Sequence, residues 1–351
     1  MKKKAPSLKQ GDVVAIVAPS GAVHKDSLDR GVEILKSLGY RVKMGKSVQK
    51  RYGYLAGNDI ERAHDFMSAW TDPEVKAVLA ARGGYGATRI LPNLDFNVLR
   101  DHIKILVGFS DITALHLAFW REMRLVTFHG PMVESGTDSS LSVPYNLEGF
   151  RQILDGSWRG GELRMPDEAE EGVGPDERPG EGPLVALEGG RASGELVGGN
   201  LSLIAALCGT RWDLDTDGKV LFLEEIGERP YRVDRMLCQL KQTGKLDGLR
   251  GVLLGDFTDC DPGGSSPSFT VQEVLEQYFR GTGKPCIRGV PAGHGKYRAM
   301  LPMGASVEID ADRLTVRFLE QPLSTRNQDL EGNRQLRGAV LVVREASRPH
   351  E

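Results

Sequence analysis

The chain has 351 residues, 40% of them hydrophobic and 26% charged, with a net charge of −3. This composition is that of an ordinary globular protein, and the length favours two domains over one. A chain without an excess of basic residues is not expected to bind nucleic acid. Lysines at positions 2–4 are followed by no apolar stretch, and no run reaches the length of a membrane span. We therefore expect no signal peptide, no membrane association and a cytoplasmic location.

The first part of the chain alternates apolar runs with amphipathic stretches. Strands are predicted at residues 13–18, 75–81 and 104–107, and helices at residues 26–38, 58–70 and 111–122. Strands that alternate with helices predict an α/β fold in which a parallel sheet is covered by helices on both faces. In such sheets, binding sites lie beyond the carboxyl ends of the strands.

An acidic stretch rich in glycine and proline, residues 167–183, separates this part from a second αβ region. Its composition is typical of a linker or an exposed loop. We predict an N-terminal domain over residues 1–155, a linker or insert over 156–195, a C-terminal β/α domain over 196–325 and a tail over 326–351. The second region has predicted strands at 220–223 and 251–257, helices at 200–207, 231–240 and 271–279, and a hairpin over 307–318. The apolar run 338–344 in the tail is either an edge strand or loosely held.

One serine lies where a strand turns directly into a helix. The apolar run before it ends in Gly108-Phe109-Ser110-Asp111, and apolar residues at helical spacing follow. A serine on such a turn presents its hydroxyl above the sheet, as in a nucleophile elbow. The usual second glycine of that motif is replaced by Ile112. The alternative is an N-cap, in which Ser110 or Asp111 binds free amides at the start of the helix.

A serine nucleophile needs a base, an acid and an oxyanion hole, and residue types for each occur near other predicted strand ends. His294 lies in a glycine-flanked turn, Glu224 and Glu225 follow an apolar strand, and Gly83 and Gly84 form a double glycine. Each has a plain alternative: a turn histidine, a glutamate paired with Arg232 or Arg235, and a tight loop. The residues alone leave these alternatives open.

The cysteines give no sign of a metal or disulfide site. The four residues, Cys208, Cys238, Cys260 and Cys286, form no Cys-x-x-Cys pair, so zinc-knuckle and thioredoxin-type motifs are not indicated. No His-Glu-x-x-His motif occurs either. We expect no metal and no cofactor.

Several of these segments together resemble the LD-carboxypeptidase family of serine peptidases. They occur in the family's order between residues 11 and 311, which makes a chance match improbable. The segments are RGGYGATR (82–89), GFSDITALH (108–116), GGNLSL (198–203), LFLEE (221–225), YRVDRML (231–237), GVPAGH (289–294) and LPMG (301–304). The family includes muramoyl-tetrapeptide carboxypeptidases and peptidases that give self-immunity to microcin C. It commonly has Glu-Asp where this chain has Glu224-Glu225.

The resemblance implies a Ser-Glu-His triad of Ser110, Glu224 and His294. It implies an oxyanion hole formed by the amide of Asp111 and that of one glycine of the Gly83–Gly84 pair, of which we favour Gly84. It further implies an N-terminal domain like the class I glutamine amidotransferases, a swivelling C-terminal β/α domain, a homodimer, and no cofactor.

The implied reaction removes the terminal D-alanine from a murein tetrapeptide by hydrolysis of its L,D bond. Arg82 and Arg232 flank the site motifs and are candidates for holding the free carboxylate of the substrate, although each could instead form an intramolecular ion pair. One alternative substrate is a peptide-nucleotide antibiotic, for which Trp158 or Trp212 would have to be exposed as a platform. An alternative of another class is a catalytically silent module that binds muropeptides.

Overall fold

The computed structural model of the protein describes residues 1–134, 140–166, 183–264 and 267–324. These residues form a six-stranded and an eight-stranded sheet, with helices packed against them. The predicted α/β class with a parallel N-terminal sheet is confirmed. Among the described helices, none has the length and apolar character that a membrane crossing requires.

The first half of the chain builds most of the six-stranded sheet. Its elements are β1 (Val13–Val17), α1 (Lys25–Ser37), β2 (Arg41–Met44), α2 (Asp59–Thr71), β3 (Val75–Ala80), α3 (Ala87–Ile90), α4 (Phe96–Leu99), β4 (Ile105–Gly108), α5 (Thr113–Met123), β5 (Thr127–His129) and α6 (Pro144–Leu154). Strands β5, β4, β3, β1 and β2 are neighbours in that order and run parallel. Their carboxyl ends therefore lie along one edge of the sheet.

The second half builds the eight-stranded sheet. Its elements are β6 (Gly161–Glu162), β7 (Val185–Glu188), β8 (Arg191–Asn200), α7 (Leu201–Leu207), β9 (Val220–Ile226), α8 (Pro230–Gln242), β10 (Gly251–Thr258), α9 (Val271–Phe279), β11 (Cys286–Arg288), β12 (Leu301–Met303), β13 (Ser306–Asp310) and β14 (Thr315–Phe318). The order is β6-β14-β13-β8-β9-β10-β11-β7, and β8 to β11 are parallel. Strands β13 and β14 form the predicted hairpin.

Local chemistry explains where several elements begin and end. Helix α2 starts at a capping box in which Asn58 accepts from the amide of Glu61 and the Glu61 carboxylate accepts from that of Asn58. All five residues of β1 are buried, as expected for a parallel strand covered on both faces. Helix α5 ends at Met123, and Arg124 caps it with a left-handed backbone of φ 53°.

The two halves are joined by a shared strand and a close backbone contact. Strand β12 comes late in the chain but pairs antiparallel with β5 and so belongs to the first sheet. The amide of Asn200 donates to Thr113 Oγ1 at 3.0 Å. A Cβ on Gly199 would lie 2.5 Å from that same oxygen, so only glycine allows this approach. These contacts bring the end of β8 against the start of α5.

Some sequence predictions differ from the structure in their extent. Strands β2, β5 and β8 were not predicted, and β8 begins inside the predicted linker, at Arg191. Strands β2 and β5 have only four and three residues, too short for a period to be read. The division into domains stays a prediction. The acidic stretch, apart from residue 183, and the apolar run 338–344 lie outside the described residues.

His116 on α5 is fully enclosed and must stay neutral. Its Nε2 donates to the Gly108 carbonyl at 2.8 Å, and its Nδ1 accepts from the Thr127 hydroxyl at 2.9 Å. Burial lowers its pKa to about 3. In the unfolded chain the imidazole has its ordinary pKa of about 6.5 and binds a proton below that pH. The unfolded state therefore binds more protons, and stability must fall as the pH drops from 6.5 toward 3.

We expect His116→Met to flatten this dependence. Between pH 7 and pH 5 the wild type should lose about 2 kcal/mol more of its free energy of unfolding than the variant, which has no imidazole there to protonate. Urea unfolding at the two pH values measures the difference. Equal losses of the free energy of unfolding in the two proteins would show that His116 binds a proton as readily in the folded state as in the unfolded state.

Candidate active site

Ser110 lies on a sharp turn at the carboxyl end of β4. Its φ is 62°, in the left-handed region that a serine seldom occupies. The residues Ser110–Ile112 form one 3₁₀ turn before α5, and no side-chain cap is formed at its start. The N-cap alternative is therefore not what the structure contains. A strained backbone that aims a hydroxyl out of a strand end is typical of functional sites.

The side chains of His294 and Glu224 complete a chain of hydrogen bonds with this serine. His294 Nε2 lies 3.0 Å from Ser110 Oγ, and His294 Nδ1 lies 2.6 Å from Glu224 Oε2. The carboxylate can only accept, so Nδ1 carries the proton and Nε2 is left free to accept from the serine hydroxyl. The ring of Phe109 packs against the imidazole with centroids 4.9 Å apart. The imidazole is thus in the tautomer that a general base requires.

Three different elements bring these groups together. Ser110 follows β4, Glu224 lies in β9, and His294 lies in the loop between β11 and β12. Gly293 has φ 135°, and a Cβ there would lie 3.1 Å from Glu224 Oε2, so glycine lets this loop approach β9. The His294 side chain is 13% exposed, whereas that of Glu224 is 0% exposed. The end of the site near the serine is therefore accessible to solvent, and the end at the glutamate is buried.

The environment of Glu224 favours its ionised form. Burial by itself raises the pKa of a carboxyl group, but here the imidazoles of His294 and His129 outweigh it and hold the pKa of Glu224 at about 2. A buried carboxylate beside an imidazole stabilises the imidazolium that forms when the base takes a proton. Glu224 makes no ion pair with Arg232, which contacts Glu228 instead.

Glu225 points away from the serine. Its Oε1 accepts from Asn200 Nδ2 at 2.9 Å, and its Oε2 accepts from the Ser202 amide at 2.7 Å. Burial raises the pKa of this carboxyl. Neighbouring residues of a strand face opposite sides, so Glu225 ties β9 to the start of α7 while Glu224 faces His294.

The glycine loop after β3 lies directly against the serine. A Cβ on Gly83 would be 2.9 Å from Ser110 Cβ and 3.4 Å from the amide nitrogen of Asp111. Gly84 has φ 105° and lies against Gly21. The loop, the serine and the Asp111 amide are therefore adjacent. Which of the two glycines supplies an amide to an oxyanion stays a prediction.

Buried polar groups brace this loop in ways that the sequence analysis missed. The Asp111 carboxylate accepts from Ser20 Oγ at 2.5 Å and from the Ala87 amide at 2.7 Å, which ties the loops after β1 and β3 to the elbow. Burial raises the pKa of Asp111. Arg62 is 1% exposed and donates to the Gly86 carbonyl at 2.9 Å. A charged residue on the buried face of α2 was the available signal for Arg62.

The two arginine candidates both contact acidic side chains. Arg82 Nε lies 3.4 Å from the fully buried Glu134, and its Nη1 donates to the Ala22 carbonyl at 3.0 Å. Arg232 contacts Glu228 at 3.3 Å and Tyr231 at 3.2 Å, near the start of α8. Arg82 directly precedes the glycine loop, whereas Arg232 is held within its own segment.

A second histidine lies beside Glu224 and was not predicted. His129, at the end of β5, is 1% exposed, and its Nε2 lies 4.0 Å from Glu224 Oε1. The available signal was a polar residue that ends an apolar run.

Within the described ranges, no group of three or more His, Cys, Asp or Glu side chains could hold a metal ion.

Gly83→Ala tests the close contact at the glycine loop. The backbone of Gly83 is outside the left-handed region, and the closest contact that a side chain there would make is with Ser110. We expect the serine to be displaced and kcat to fall by about a hundredfold, the cost of roughly 1 Å of misplacement. Gly149→Ala is the control, because a Cβ there meets nothing within 4 Å. Unchanged kinetics in Gly83→Ala would contradict this geometry.

Comparison with known proteins finds the N-terminal and the C-terminal domain of one family in this chain, in that order. The model of the LD-carboxypeptidase N-terminal domain matches residues 14–130, and that of the LD-carboxypeptidase C-terminal domain matches residues 193–309. A probable murein peptide carboxypeptidase of Bacillus subtilis is 39% identical over 312 residues, which cover 89% of this chain and 93% of the relative.

Two solved structures are similar over most of their length. A muramoyltetrapeptide carboxypeptidase from Oxalobacter formigenes has a TM-score of 0.71 and 32% identity, covering 87% of this chain and 97% of that one. The microcin C7 self-immunity protein in its wild-type apo state has a TM-score of 0.80 and 26% identity, covering 92% and 100%. With both domain models matched in sequence, the chain belongs to the LD-carboxypeptidase family.

Proposed function

We propose that this protein is a serine carboxypeptidase that releases the terminal D-alanine from murein tetrapeptides by hydrolysis of an L,D bond. The observation that carries the mechanism is the hydrogen-bond chain from Ser110 Oγ through His294 to Glu224, with links of 3.0 and 2.6 Å. The substrate class rests on the relatives, of which two are named murein peptide and muramoyltetrapeptide carboxypeptidase.

The reaction proceeds through an acyl-enzyme. Ser110 Oγ attacks the carbonyl carbon of the L-centre that precedes D-alanine, and its proton passes to His294 Nε2. The amide of Asp111, with that of Gly84, stabilises the oxyanion. His294 then gives the proton to the leaving nitrogen, and D-alanine departs. Water, activated by the same imidazole, hydrolyses the ester and restores Ser110.

Glu224 acts through His294 in both halves of this cycle. Its carboxylate holds Nδ1–H, fixes the tautomer and stabilises the imidazolium. Its full burial strengthens this interaction, because a buried carboxylate is screened much less by the surrounding solution. The cycle needs no metal and no cofactor, since the nucleophile is supplied by the chain itself.

A carboxypeptidase must also recognise the free carboxylate at the end of its substrate. We assign this role to Arg82 in preference to Arg232. Arg82 adjoins the glycine loop, and its side chain is 28% exposed while that of Glu134 beside it is fully buried. An arginine that is anchored on one side can present its other N–H groups to a carboxylate with little loss of side-chain entropy.

A second candidate function is cleavage of a peptide-nucleotide. It is favoured by the likeness to the microcin C7 self-immunity protein and by an exposed aromatic pair beside the glycine loop. Tyr54 and Tyr85 are 68% and 50% exposed, with ring centroids 5.8 Å apart. Trp158 and Trp212 are both partly buried against the core and offer no open platform.

Incubation with murein tetrapeptide and mass spectrometry of the products tests the proposal. We expect D-alanine and the tripeptide, with kcat/KM higher than on a peptidyl-nucleotide analogue. The reverse ranking would select the second candidate. Binding of tetrapeptide without any release of D-alanine would instead select the catalytically silent muropeptide-binding module.

We further propose that the protein works as a homodimer in the cytoplasm, where recycled murein peptides arrive. This rests on its membership of the family. Sedimentation velocity on the purified full chain distinguishes a dimer from a monomer of 38.4 kDa.

A further inference from the structure

The side of Glu224 that faces away from His294 is enclosed by another histidine. Glu224 Oε1 lies 4.0 Å from His129 Nε2, and both side chains are buried, with exposures of 0% and 1%. Within the part of the chain that the structure describes, neither Glu224 Oε1 nor either ring nitrogen of His129 has a hydrogen-bond partner. Buried polar atoms without partners are costly and uncommon. Two such groups face each other directly behind the proposed triad.

We propose that His129 is a positioning residue for the reaction assigned above: its Nε2–H supports Glu224 Oε1 and so fixes the carboxylate plane in which Oε2 meets His294. This inference rests on the proposed function of Ser110, Glu224 and His294. The present separation is longer than a hydrogen bond. Hydrogen bonds of catalytic groups are often long in the free enzyme and shorten when substrate binds.

The surroundings of His129 leave Glu224 as its polar partner. The rings of Phe109 and Phe222 pack on it, with centroids 5.7 and 5.0 Å away. The titratable groups that face it are Glu224 from β9 and His116 from α5, whose ring centroid is 6.4 Å away. Both nitrogens of His116 are already bonded to Thr127 and Gly108. His116 therefore cannot provide the support that Glu224 Oε1 lacks.

Support of this kind has a consequence for the acid side of the pH–rate profile. A carboxylate held at both oxygens keeps one orientation, and its bond to Nδ1–H stabilises the imidazolium. If Oε1 loses its support, the carboxylate can rotate and the imidazolium is stabilised less. Protonation of the base would then require more acid, so the acid limb should move to lower pH.

The test uses a ring without nitrogens, a partial mimic and a matched control. His129→Phe keeps the ring but cannot donate, His129→Gln places an amide N–H near the position of Nε2, and His116→Phe changes the other buried histidine. Circular dichroism establishes that each variant is folded. Two pH profiles are measured: turnover of murein tetrapeptide, and labelling of Ser110 by phenylmethylsulfonyl fluoride, followed by intact mass.

We expect kcat to fall by about ten- to a hundredfold in His129→Phe, with KM nearly unchanged, because the loss is one of orientation. The acid limb of both profiles should move to lower pH. His129→Gln should recover most of the loss, and His116→Phe should leave the limb where it is. A folded His129→Phe with wild-type kcat and an unmoved limb would overturn the proposal. So would a limb that moves to higher pH, since His129 would then act as a charge, or a His129→Gln variant no better than His129→Phe.

The labelling profile separates this proposal from the proposed function. It reads the state of His294 through Ser110 and needs no peptide substrate. A wild type that is labelled but releases no D-alanine would count against the murein substrate alone, and the variants would still be compared by labelling. A wild type that resists the probe at every pH would contradict both.

Discussion

Ser110→Ala is expected to lower kcat for D-alanine release by about four to six powers of ten, while the substrate still binds. Removing the nucleophile of a Ser-His-acid triad leaves only the residual rate that binding and the oxyanion hole supply. Ser110 is the group that His294 Nε2 contacts at 3.0 Å, and among the described residues no other serine shares that contact. Steady-state kinetics with murein tetrapeptide measures the loss.

The control for this variant is Ser157→Ala, at an exposed serine that follows α6. It should retain wild-type kinetics. Ser110→Ala removes only a hydroxyl and keeps a Cβ on the same left-handed backbone. Circular dichroism should therefore show an unchanged fold. Turnover close to that of the wild type in Ser110→Ala would remove Ser110 from the mechanism and leave His294 and Glu224 without a nucleophile.

Glu224→Gln is expected to lower activity, whereas Glu225→Gln is expected to lower stability. The first should lower kcat by about four powers of ten, because an amide cannot stabilise the imidazolium and favours the wrong tautomer. The second should leave kcat nearly unchanged but lower the free energy of unfolding by about 1–3 kcal/mol. The Glu225 carboxylate accepts hydrogen bonds from Asn200 and from the Ser202 amide, and a glutamine can accept at only one of its two positions.

The pair of variants is measured by kinetics and by urea unfolding. If Glu225→Gln lost activity and Glu224→Gln did not, the acid of the triad would be Glu225. Small and equal effects on kcat would mean that neither glutamate orients His294, and a Ser-His dyad would replace the triad.

The sequence predicted those elements and turns that depend on interactions between neighbouring residues. Helix α9 was predicted at its observed bounds, Val271–Phe279, and in the structure a capping box at Thr270 fixes its start. The turn at Ser110 was predictable because an apolar run, a glycine and a helical period meet there. Glu224 and His294 were singled out on motifs and resemblance, and the structure brings both to Ser110.

What could not be predicted depends on contacts between distant segments. Strand β12 joins the first sheet through β5, a pairing that spans more than 170 residues and has no local signature. Arg62 braces the glycine loop and His129 lies behind Glu224. Arg62 lies in the sequence among other charged residues and His129 ends a mostly apolar run, so neither pattern indicates a partner. Their partners come from other elements, so only the folded arrangement reveals them.

The central claim is covalent catalysis at Ser110, and rapid acid quenching during turnover of murein tetrapeptide tests it most directly. The wild-type protein is quenched with and without hydroxylamine, digested and mapped by mass spectrometry. We expect the tripeptide acyl group on the peptide that contains Ser110, and a tripeptide hydroxamate when hydroxylamine competes with water. Release of D-alanine with no adduct and no hydroxamate, or an acyl group on another residue, would contradict the account.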